Sequence, residues 1–545
     1  MPDHNIATSN TNATGHFDAL VIGAGFAGMY QLICLRDRLG LNVRVLEAGD
    51  GVGGTWYWNR YPGARCDSES HSYSYYFSDD LLKEWTWSER YPEQPEIMRY
   101  LNFVADKFDL KRDIQFNTRV VGARYDAEGN LWRVTTEAGE SLTATFLITA
   151  VGCLSAANIP NIPGLDSFAG QWYHTGQWPH EGVDFTGKRV GLVGTGSTGI
   201  QATPVIAETA KHLTVFQRTA NYSMPARNAP LTEEFKQYVK THFPEIRDVM
   251  HSTPNGHPFR ISERLALDST PEERKALYEA AWEKGGLQFR ATYQDLVTNK
   301  AANDTAAEFI RDKIRQIVKD PATAAKLSDI DHPFAAKRPP IDTGYFETYN
   351  RDNVSLVDVR ADPIARITPN GIETGNESFD LDIIVFATGF DAMTGPLLKM
   401  DIQGENGLNL RDAWHAGPVT YLGLQVVGFP NLFTMTGPGS PSVLCNMPVA
   451  IEQHAEWIAG CIDHMRKNGL RRIAPLADAA DRWVLEVNEA ANATLLPQAK
   501  HSWYLGANVP GKPRVFMPYA GGMARYRKIC AEVVAQDYKG FVLSA

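Results

Sequence analysis

Residues 17–49 read FDALVIGAGFAGMYQLICLRDRLGLNVRVLEAG, and this stretch decides the fold. The apolar run Ala19–Ile22 predicts a buried parallel strand that ends in a glycine-rich turn. An amphipathic helix from Gly25 to about Leu39 follows, and then a second strand, Val43–Leu46. The stretch therefore predicts a strand–helix–strand unit of the kind that binds nucleotides.

The glycines after the first strand have the spacing G-x-G-x-x-G, at Gly23, Gly25 and Gly28. Glycines here keep the turn tight, let the backbone approach a pyrophosphate, and let the helix pack on the strand, with its N-terminus toward the phosphates. Glu47 ends the second strand, where a carboxylate accepts hydrogen bonds from an adenosine ribose. A carboxylate repels a 2′-phosphate, so this unit predicts an FAD or NAD site.

A second unit of the same kind occupies residues 187–218, GKRVGLVGTGSTGIQATPVIAETAKHLTVFQR. Its glycines are Gly194, Gly196 and Gly199, and strands are expected near 190–193 and 213–216. The second strand ends in Phe-Gln-Arg-Thr, with Arg218 and Thr219 where the first unit has its acid. A guanidinium and a hydroxyl suit a 2′-phosphate, so this site is predicted to prefer NADPH over NADH.

Length and composition limit the other classes of protein. The chain has 545 residues, 43% of them hydrophobic, and a formal charge of −10, which indicates a globular protein of about three domains. The six cysteines include no C-x-x-C pair, so we expect no disulfide scaffold, redox dithiol or metal site. The mild acidity gives no reason to expect nucleic acid or a membrane as partner. The N-terminus has no signal peptide pattern, and we expect a cytoplasmic protein, a monomer or weak oligomer.

The predicted fold class is α/β, with two dinucleotide-binding Rossmann-like domains, for FAD and NADP, and a helical insertion. Small residues follow two further apolar strands, at 149–152 (TAVG) and 387–391 (ATGFD), where backbone is expected to pass close to a cofactor; a plain turn at the strand end is an equal alternative. The predicted divisions are a disordered arm (1–16), a first FAD-binding segment (17–150), a first NADP-binding segment (151–220), the helical insertion (221–336), a second NADP-binding segment (337–385) and a second FAD-binding segment with a substrate loop and a lid (386–545).

Three further stretches distinguish among the families of flavoproteins. Residues 168–179, FAGQWYHTGQWP, match F-x-G-x-x-x-H-x-x-x-W-P, the fingerprint of type I Baeyer–Villiger monooxygenases. Residues 53–56 (GGTW) with 61–67 (YPGARCD) match the second signature of that family, and Lys337-Arg338 stands where it keeps its active-site arginine. From about Phe17 onward, the chain resembles this family, and most closely its phenylacetone monooxygenase group.

The resemblance implies an NADPH- and O₂-dependent enzyme with one tightly bound FAD per chain. Through a C4a-peroxyflavin it would convert ketones to esters or lactones, with sulfoxidation as a side activity. Arg338 would stabilise the negative oxygens of this reaction, since a guanidinium stays charged without needing a proton, and Asp67 would hold it. His174 and Trp178 of the fingerprint are interpreted as structural residues.

The resemblance also implies the remaining contacts. FAD would be held by Gly23, Gly25, Ala27, Gly28, Glu47, Gly54, Thr55, Trp56, Trp58, Asp67, Tyr73, Val120 and Met447. NADP would be held by Arg65, Cys66, Asp67, Thr195, Gly196, Ser197, Thr198, Gly199, Ile200, Gln201, Arg218, Thr219, Lys337, Arg338 and the lid residue Trp503. The substrate pocket would be lined by Cys153, Leu154, Ser442, Val443 and Leu444.

Other functions stay open from the residues alone. An N- or S-oxygenating flavin monooxygenase shares the class, but Trp178-Pro179 and Arg338 argue against it. A disulfide or ferredoxin reductase needs a redox cysteine pair, which the spacing lacks. A non-catalytic flavin-binding partner is disfavoured because both glycine motifs and the arginine are intact.

Overall fold

The computed structural model describes residues 15–545. Within that range the strands are β1 (His16–Ile22), β2 (Val43–Leu46), β3 (Ile114–Gln115), β4 (Val120–Asp126), β5 (Leu131–Thr136), β6 (Ser141–Thr149), β7 (Gln171–His174), β8 (Arg189–Val193), β9 (His212–Gln217), β10 (Met224–Pro225), β11 (Ile341–Asp342), β12 (Val354–Asp358), β13 (Ile364–Thr368), β14 (Gly371–Thr374), β15 (Ser378–Asp380), β16 (Ile383–Phe386), β17 (Asp401–Gln403), β18 (Leu432–Thr434), β19 (Arg472–Pro475) and β20 (Phe541–Ser544).

The α-helices of the same range are α1 (Phe26–Leu32), α2 (Thr55–Trp58), α3 (Asp79–Glu84), α4 (Gln94–Lys107), α5 (Ser197–Thr209), α6 (Glu233–Ser252), α7 (Pro271–Lys284), α8 (Lys300–Ile317), α9 (Pro321–Ser328), α10 (Tyr345–Thr348), α11 (Gly395–Leu398), α12 (Leu410–Ala413), α13 (Met447–Lys467), α14 (Ala477–Asn492) and α15 (Met523–Ala535). The predicted disordered arm falls mostly outside the described residues, and its last residue, His16, begins β1.

The first sheet is mixed and has the order β17-β4-β5-β6-β1-β2-β3, with β18 also paired to β6. Strands β6, β1, β2 and β3 run parallel, and β5 runs antiparallel to both of its neighbours. Its strands come from two separated regions of the chain, residues 16–149 and residues 401–434. This sheet therefore joins the N-terminal region to a region about 250 residues further along the chain.

The second sheet lies between those regions in sequence and is wholly parallel, in the order β12-β9-β8-β16-β7. Parallel sheets are buried on both faces, which explains the continuous apolar runs of β8 and β16. The predicted fold class is confirmed: each sheet carries one of the two glycine turns. The domain boundaries drawn from the sequence stay a prediction.

The first helix differs from the expected amphipathic helix. All seven residues of α1 are buried, and α13 packs against this helix. The helix then continues over residues 33–38 as a π-helix. A helix covered on all sides needs apolar or small residues all round, and its sequence, FAGMYQL, has them.

The region between β9 and β11 is helical, as predicted, and contains α6 to α9. Its base is closed by a two-residue parallel pair, β10 with β11. Beyond β12 the structure has a three-stranded antiparallel sheet, β13-β14-β15, that the sequence analysis did not predict. Among residues 15–545, no helix combines the length and the apolar character that crossing a bilayer requires.

Candidate active site

The turn after β1 is shaped by close backbone packing. Gly23 has φ +102°, and a Cβ placed on it would lie 2.6 Å from the carbonyl oxygen of Ala150. A Cβ on Gly28 would lie 1.8 Å from the carbonyl oxygen of Gly23, so the helix can approach the strand only through glycine. The backbone of Gly25 faces that of Gly54, which lies in the second signature. Ala150 is thus a small residue because it lies against the turn.

The turn after β8 repeats this arrangement. A Cβ on Gly194 would lie 2.5 Å from the carbonyl oxygen of Ala387, and one on Gly199 would lie 2.1 Å from that of Gly194. A Cβ on Gly196, in contrast, would meet no atom within 4 Å. Gly194 and Gly199 are therefore required by the protein's own packing, whereas Gly196 faces open space.

The helices that follow the two turns begin without side-chain caps. Gly25 and Gly196 are the N-cap residues of α1 and α5, and neither helix has a side chain that accepts its first N–H groups. At α5 both Gly196 and Ser197 are exposed. Uncapped N–H groups and the positive end of the helix dipole favour an anion at this position. This open end fits the diphosphate of a dinucleotide.

Glu47 is buried at the end of β2. Its two carboxylate oxygens accept the backbone N–H groups of Ala24 (2.7 Å) and Gly49 (2.8 Å). Burial raises the pKa of Glu47, and the backbone donors oppose that effect. Each carboxylate oxygen has two lone pairs, so both can also accept a ribose hydroxyl.

The signature segment 61–67 is bonded to the helix that follows the second glycine turn. The Tyr61 hydroxyl donates to Oε1 of Gln201 (2.8 Å), and Nε2 of Gln201 donates to the carbonyl oxygen of Arg65 (3.0 Å). Gln201 lies on α5, directly after the second turn. The Arg65 guanidinium pairs with Glu89 (3.0 Å) and Glu93 (2.6 Å), so its charge is already balanced within the protein.

Arg338 and Asp67 form the central ion pair. The guanidinium donates twice to the carboxylate, Nε to Oδ2 and Nη2 to Oδ1, both at 2.8 Å. Burial by itself lowers the pKa of Arg338, but the charge and hydrogen bonds of Asp67 outweigh it, so the net pKa lies above its ordinary value. Nη1 points to the carbonyl oxygen of Val443, at 3.4 Å. The arginine thus stays charged, and it connects the signature segment to the expected substrate loop.

Two cations without carboxylate partners lie beside the second turn. Neither Arg218 nor Lys337 has a carboxylate oxygen within 4 Å among the described residues. The pKa of Lys337 is lowered by burial, raised in part by Asp331, and lowered further by the charge of Arg218. Thr195 holds the strand end, because its hydroxyl donates to the carbonyl oxygen of Thr219 (2.8 Å). A phosphate would supply the negative charge that the pair lacks.

The predicted pocket residues come together in one apolar cluster. Cys153, Leu154, Val443 and Leu444 share it with Met447 and with Trp503. Ser442 lies beside them with φ +42°, a conformation that costs energy for a residue with a side chain. Its hydroxyl donates to the carbonyl oxygen of Thr436 (3.0 Å), which secures this bend.

Trp503 begins a short turn whose loop is fastened to the crossing segment 387–391. Nζ of Lys512 forms an ion pair with Asp391 and donates to the carbonyl oxygen of Ala392 (2.7 Å). Nδ2 of Asn508 donates to the carbonyl oxygen of Phe390 (2.8 Å). A lid was predicted here from the sequence, but the bonds made by Lys512 and Asn508 were not, because no local pattern joins residues about 120 positions apart.

The remaining predicted residues lie around the two turns. The buried ones are Ala27, Trp56, Cys66, Val120 and Ile200, the partly buried ones are Trp58, Tyr73, Thr198 and Met447, and Thr55 is exposed. Nε1 of Trp56 donates to the Tyr73 hydroxyl (3.0 Å). The cofactor contacts assigned to them stay predictions.

A buried oxygen without a partner supports the fit of a flavin at the start of α13. Asn446 is the N-cap of this helix, and its Oδ1 has no hydrogen-bond donor among the described residues, although it is buried. Its Nδ2 donates to the carbonyl oxygen of Ser72 (2.7 Å). A buried acceptor of this kind is costly unless a ligand supplies the donor. The neighbouring Met447 is one of the residues predicted to contact FAD.

His174 and Trp178 occupy different surroundings. His174 is buried against Phe390, and its Nδ1 accepts the Gly176 N–H (3.0 Å). Burial lowers the pKa of His174 to about 4, so the ring is neutral. Trp178 packs on Tyr173 in the core of the second sheet. Both environments are those of structural residues.

Three residues near Arg338 were not predicted: Tyr504, His257 and Arg290. Tyr504 follows Trp503 and is buried; burial raises its pKa to about 12, while Arg338 and Arg290 act in the opposite direction. Burial lowers the pKa of His257 to about 3, with Arg338 and Arg290 adding to the effect. No motif marks these residues, since they come from three separate segments.

Two glycine turns, each after a parallel strand of its own sheet, together with a permanently charged arginine and an apolar pocket, define an oxidoreductase that binds two dinucleotides. A model of the "Flavin-binding monooxygenase-like" family matches residues 18–234. A Baeyer-Villiger monooxygenase of Pseudooceanicola batsensis is 47% identical over 99% of this chain and 98% of its own. A cyclohexanone 1,2-monooxygenase of Acinetobacter sp is 45% identical over 96% of both chains.

The solved structures agree with the sequence comparison. The structure of an oxidized steroid monooxygenase bound to NADP has a TM-score of 0.93 and 51% identity, over 97% of this chain and 100% of the other. The chain belongs to the Baeyer–Villiger monooxygenase family, which confirms the resemblance read from its motifs.

Proposed function

We propose that this chain is an NADPH- and O₂-dependent Baeyer–Villiger monooxygenase that converts ketones to esters or lactones. The observation that carries the proposal is the bidentate Arg338–Asp67 pair, which lies beside the apolar cluster containing Val443. The family comparison supports the same reaction. The reductant and the oxygen-activating group would be NADPH and FAD.

Bound FAD, once reduced by NADPH, activates O₂ for insertion of one oxygen atom next to the ketone carbonyl. The residues present fit these cofactors. The uncapped end of α1 and Glu47 suit the adenosine diphosphate half of FAD, and Asn446 Oδ1 offers an acceptor that needs a donor. The open turn at Gly196 with Arg218 and Lys337 suits NADPH.

Arg338 supplies a fixed positive charge where oxygen becomes negative. A guanidinium keeps its charge at every working pH, and its planar set of N–H groups can be held in a fixed orientation. Asp67 occupies Nε and Nη2, which sets the plane of the fork and leaves Nη1 directed toward the Val443 loop. Donors held in advance cost no reorganisation when the charge develops, and this is worth about 2.7–4 kcal/mol for one donor.

Water must be kept from this site so that NADPH is not spent without product. Trp503 and the buried Tyr504 belong to the apolar cluster, and Lys512 bonds their loop to Ala392. We infer that this loop closes the site during the reaction. The predictions of a cytoplasmic location and of a monomer or weak oligomer rest on the sequence alone.

The test is ketone-dependent oxidation of NADPH with a product that has gained one oxygen atom. A panel of linear, aryl and cyclic ketones, scored by product mass, would also identify the substrate class. Absence of an oxygenated product from every ketone, with the flavin still reduced by NADPH, would contradict the proposal. Amines and sulfides belong on the same panel, because preferential oxidation of an amine would favour the N-oxygenating alternative.

Arg338→Ala tests the role of the arginine directly. We expect ester formation to fall about 10²–10³-fold, because one donor held in advance is lost, while NADPH still reduces the flavin. Arg360→Ala is a matched control, since Arg360 pairs with Asp329 at a half-exposed position. Retained ester formation in Arg338→Ala would contradict stabilisation of the negative oxygen by Arg338. A similar loss of ester formation in Arg360→Ala would indicate a general defect of the protein.

A further inference from the structure

His454 of α13 is a completely buried histidine whose two ring nitrogens both have partners. Nδ1 accepts the backbone N–H of Thr436 (2.9 Å), and Nε2 lies 3.1 Å from the hydroxyl oxygen of Tyr526 in α15. That hydroxyl donates its own proton to the carbonyl oxygen of Leu422 (2.7 Å), so the ring must be the donor toward it. The neutral ring therefore carries its proton on Nε2 and keeps Nδ1 as an acceptor.

The hydrogen bonds continue from Thr436 into the substrate loop. Thr436 has φ +52°, which is a strained conformation for a β-branched residue, and its carbonyl oxygen accepts the Ser442 hydroxyl (3.0 Å). The carbonyl oxygen of Ser442, in turn, accepts the Cys445 thiol (3.2 Å). The next carbonyl oxygen, that of Val443, accepts from Nη1 of Arg338 (3.4 Å). The buried histidine is thus connected to the backbone that carries the expected pocket residues.

This connection holds two strained residues, Thr436 and Ser442, in place. A backbone with positive φ at a residue other than glycine persists only where the surrounding structure holds it. Without Nδ1 of His454, the N–H of the buried Thr436 would lose the acceptor that the ring provides, which is costly. The turn would then relax and move Ser442, and with it the adjacent Val443. The position of Val443 in the apolar cluster therefore depends on a histidine that is not itself a pocket residue.

We propose that His454 is a positioning residue that sets the substrate specificity. By accepting the N–H of Thr436 it holds Val443 in the pocket, so that the enzyme discriminates against bulky ketones. It acts through Thr436 and Ser442 and not by contact with the ketone. This inference rests on the proposed ketone oxygenation and names the residue that limits the size of the substrate.

Two substitutions separate the hydrogen bond from the filling of space. The amide oxygen of His454→Asn can take the place of Nδ1, whereas the longer amide of His454→Gln reaches the place of Nε2 and leaves the Thr436 N–H without its acceptor. One buried hydrogen bond changes an equilibrium by about 2- to 12-fold. His454→Gln should therefore raise kcat/KM for 4-tert-butylcyclohexanone relative to cyclohexanone by about that factor, and His454→Asn should keep the wild-type ratio. His464→Gln, at a partly exposed position on the same helix, is the matched control. Equal changes in His454→Asn and His454→Gln would overturn the proposal.

The cysteines report the position of the loop without any ketone. Cys445 lies in the loop, Cys461 lies two turns after His454 on α13, and Cys530 lies one turn after Tyr526 on α15. All three are buried. The holoenzyme is alkylated with iodoacetamide, and each cysteine peptide is followed by mass. In His454→Gln, alkylation should be faster at Cys445 and unchanged at Cys461 and Cys530.

Two outcomes of the alkylation would overturn the proposal. One is an unchanged rate at Cys445 in His454→Gln, since the loop would then not depend on the histidine. The other is a faster rate at all three cysteines, since the histidine would then stabilise the core in general. Failure of every ketone to react would contradict the proposed function instead, and the alkylation result would still decide whether His454 holds the loop.

Discussion

Glu452 on α13 should make the protein less stable as pH rises. Its side chain is buried, and Oε1 accepts the backbone N–H groups of Tyr76 (2.6 Å) and Phe77 (3.0 Å). Burial raises the pKa of Glu452 to about 8; the two N–H groups and Arg527 lower it, and the charge of Glu456 raises it. The carboxyl group is therefore neutral in the folded protein at neutral pH.

The size of the effect follows from linkage. In the unfolded chain the carboxyl ionises near its ordinary pKa of 4.5, so between about pH 4.5 and about pH 8 only the folded state keeps the proton. Each pH unit in that window lowers the free energy of unfolding by about 1.4 kcal/mol, and the whole window by about 5 kcal/mol. Below the window both states are protonated, and above it both are ionised, so the dependence ends.

Glu452→Gln should remove this dependence, because the amide stays neutral and its oxygen can still accept both N–H groups. Melting of the holoenzyme is measured at about pH 5 and at about pH 8.5. The melting temperature of the variant should exceed that of the wild type at the higher pH, by much more than at the lower pH. Glu532→Gln, on α15 and with an exposed side chain, is the control. Equal pH slopes in wild type and Glu452→Gln would refute the reasoning.

Two further predictions concern the cofactor turn and the lid. Gly196→Ala should fold with an unchanged melting temperature, since its Cβ meets no protein atom within 4 Å, but the KM for NADPH should rise. Gly199→Ala should not fold, since its Cβ would lie 2.1 Å from the carbonyl oxygen of Gly194. An unchanged KM for NADPH in Gly196→Ala would contradict binding of a phosphate at that turn. Lys512→Met should free the Trp503 loop, because Asp391 loses its buried partner; losing one partner of a buried ion pair costs about 3–5 kcal/mol. We expect more hydrogen peroxide per NADPH consumed and faster proteolysis within residues 503–517. Lys467→Met, which breaks an exposed pair with Asp463, is the control. Equal hydrogen peroxide from the two variants would contradict the role of Lys512 in holding the loop.

The elements of the fold that could be predicted are those with a local signal. The glycine turns, the strands at 19–22, 43–46, 190–193 and 213–216, and long helices such as α14 all carry a pattern within a few residues. The Arg338–Asp67 pair was also predicted, but through the family resemblance. No pattern in the sequence links positions 271 residues apart.

The elements that were missed depend on contacts between distant segments. The sequence predicted an amphipathic helix from Gly25 to about Leu39, but α1 is buried on all sides, and one of the elements packed against it is α13, about 420 positions later. Tyr504, His257 and Arg290 could not be predicted either, because they lie in three separate segments and no motif marks them. The sheet β13-β14-β15 consists of short strands with exposed residues, which give a weak periodic signal.

The first sheet, built from residues 16–149 and 401–434, has a consequence for synthesis on the ribosome. Strand β6 ends at Thr149, but α13, which covers α1, begins only at Met447, roughly 300 residues later. At about 5–20 residues per second, the nascent chain would hold that uncovered apolar surface for about 15–60 s. Meanwhile the second sheet, complete by Phe386, can already form. The order of translation thus makes the NADP-type unit the first to finish and leaves the FAD-type unit exposed to chaperones and aggregation for longest.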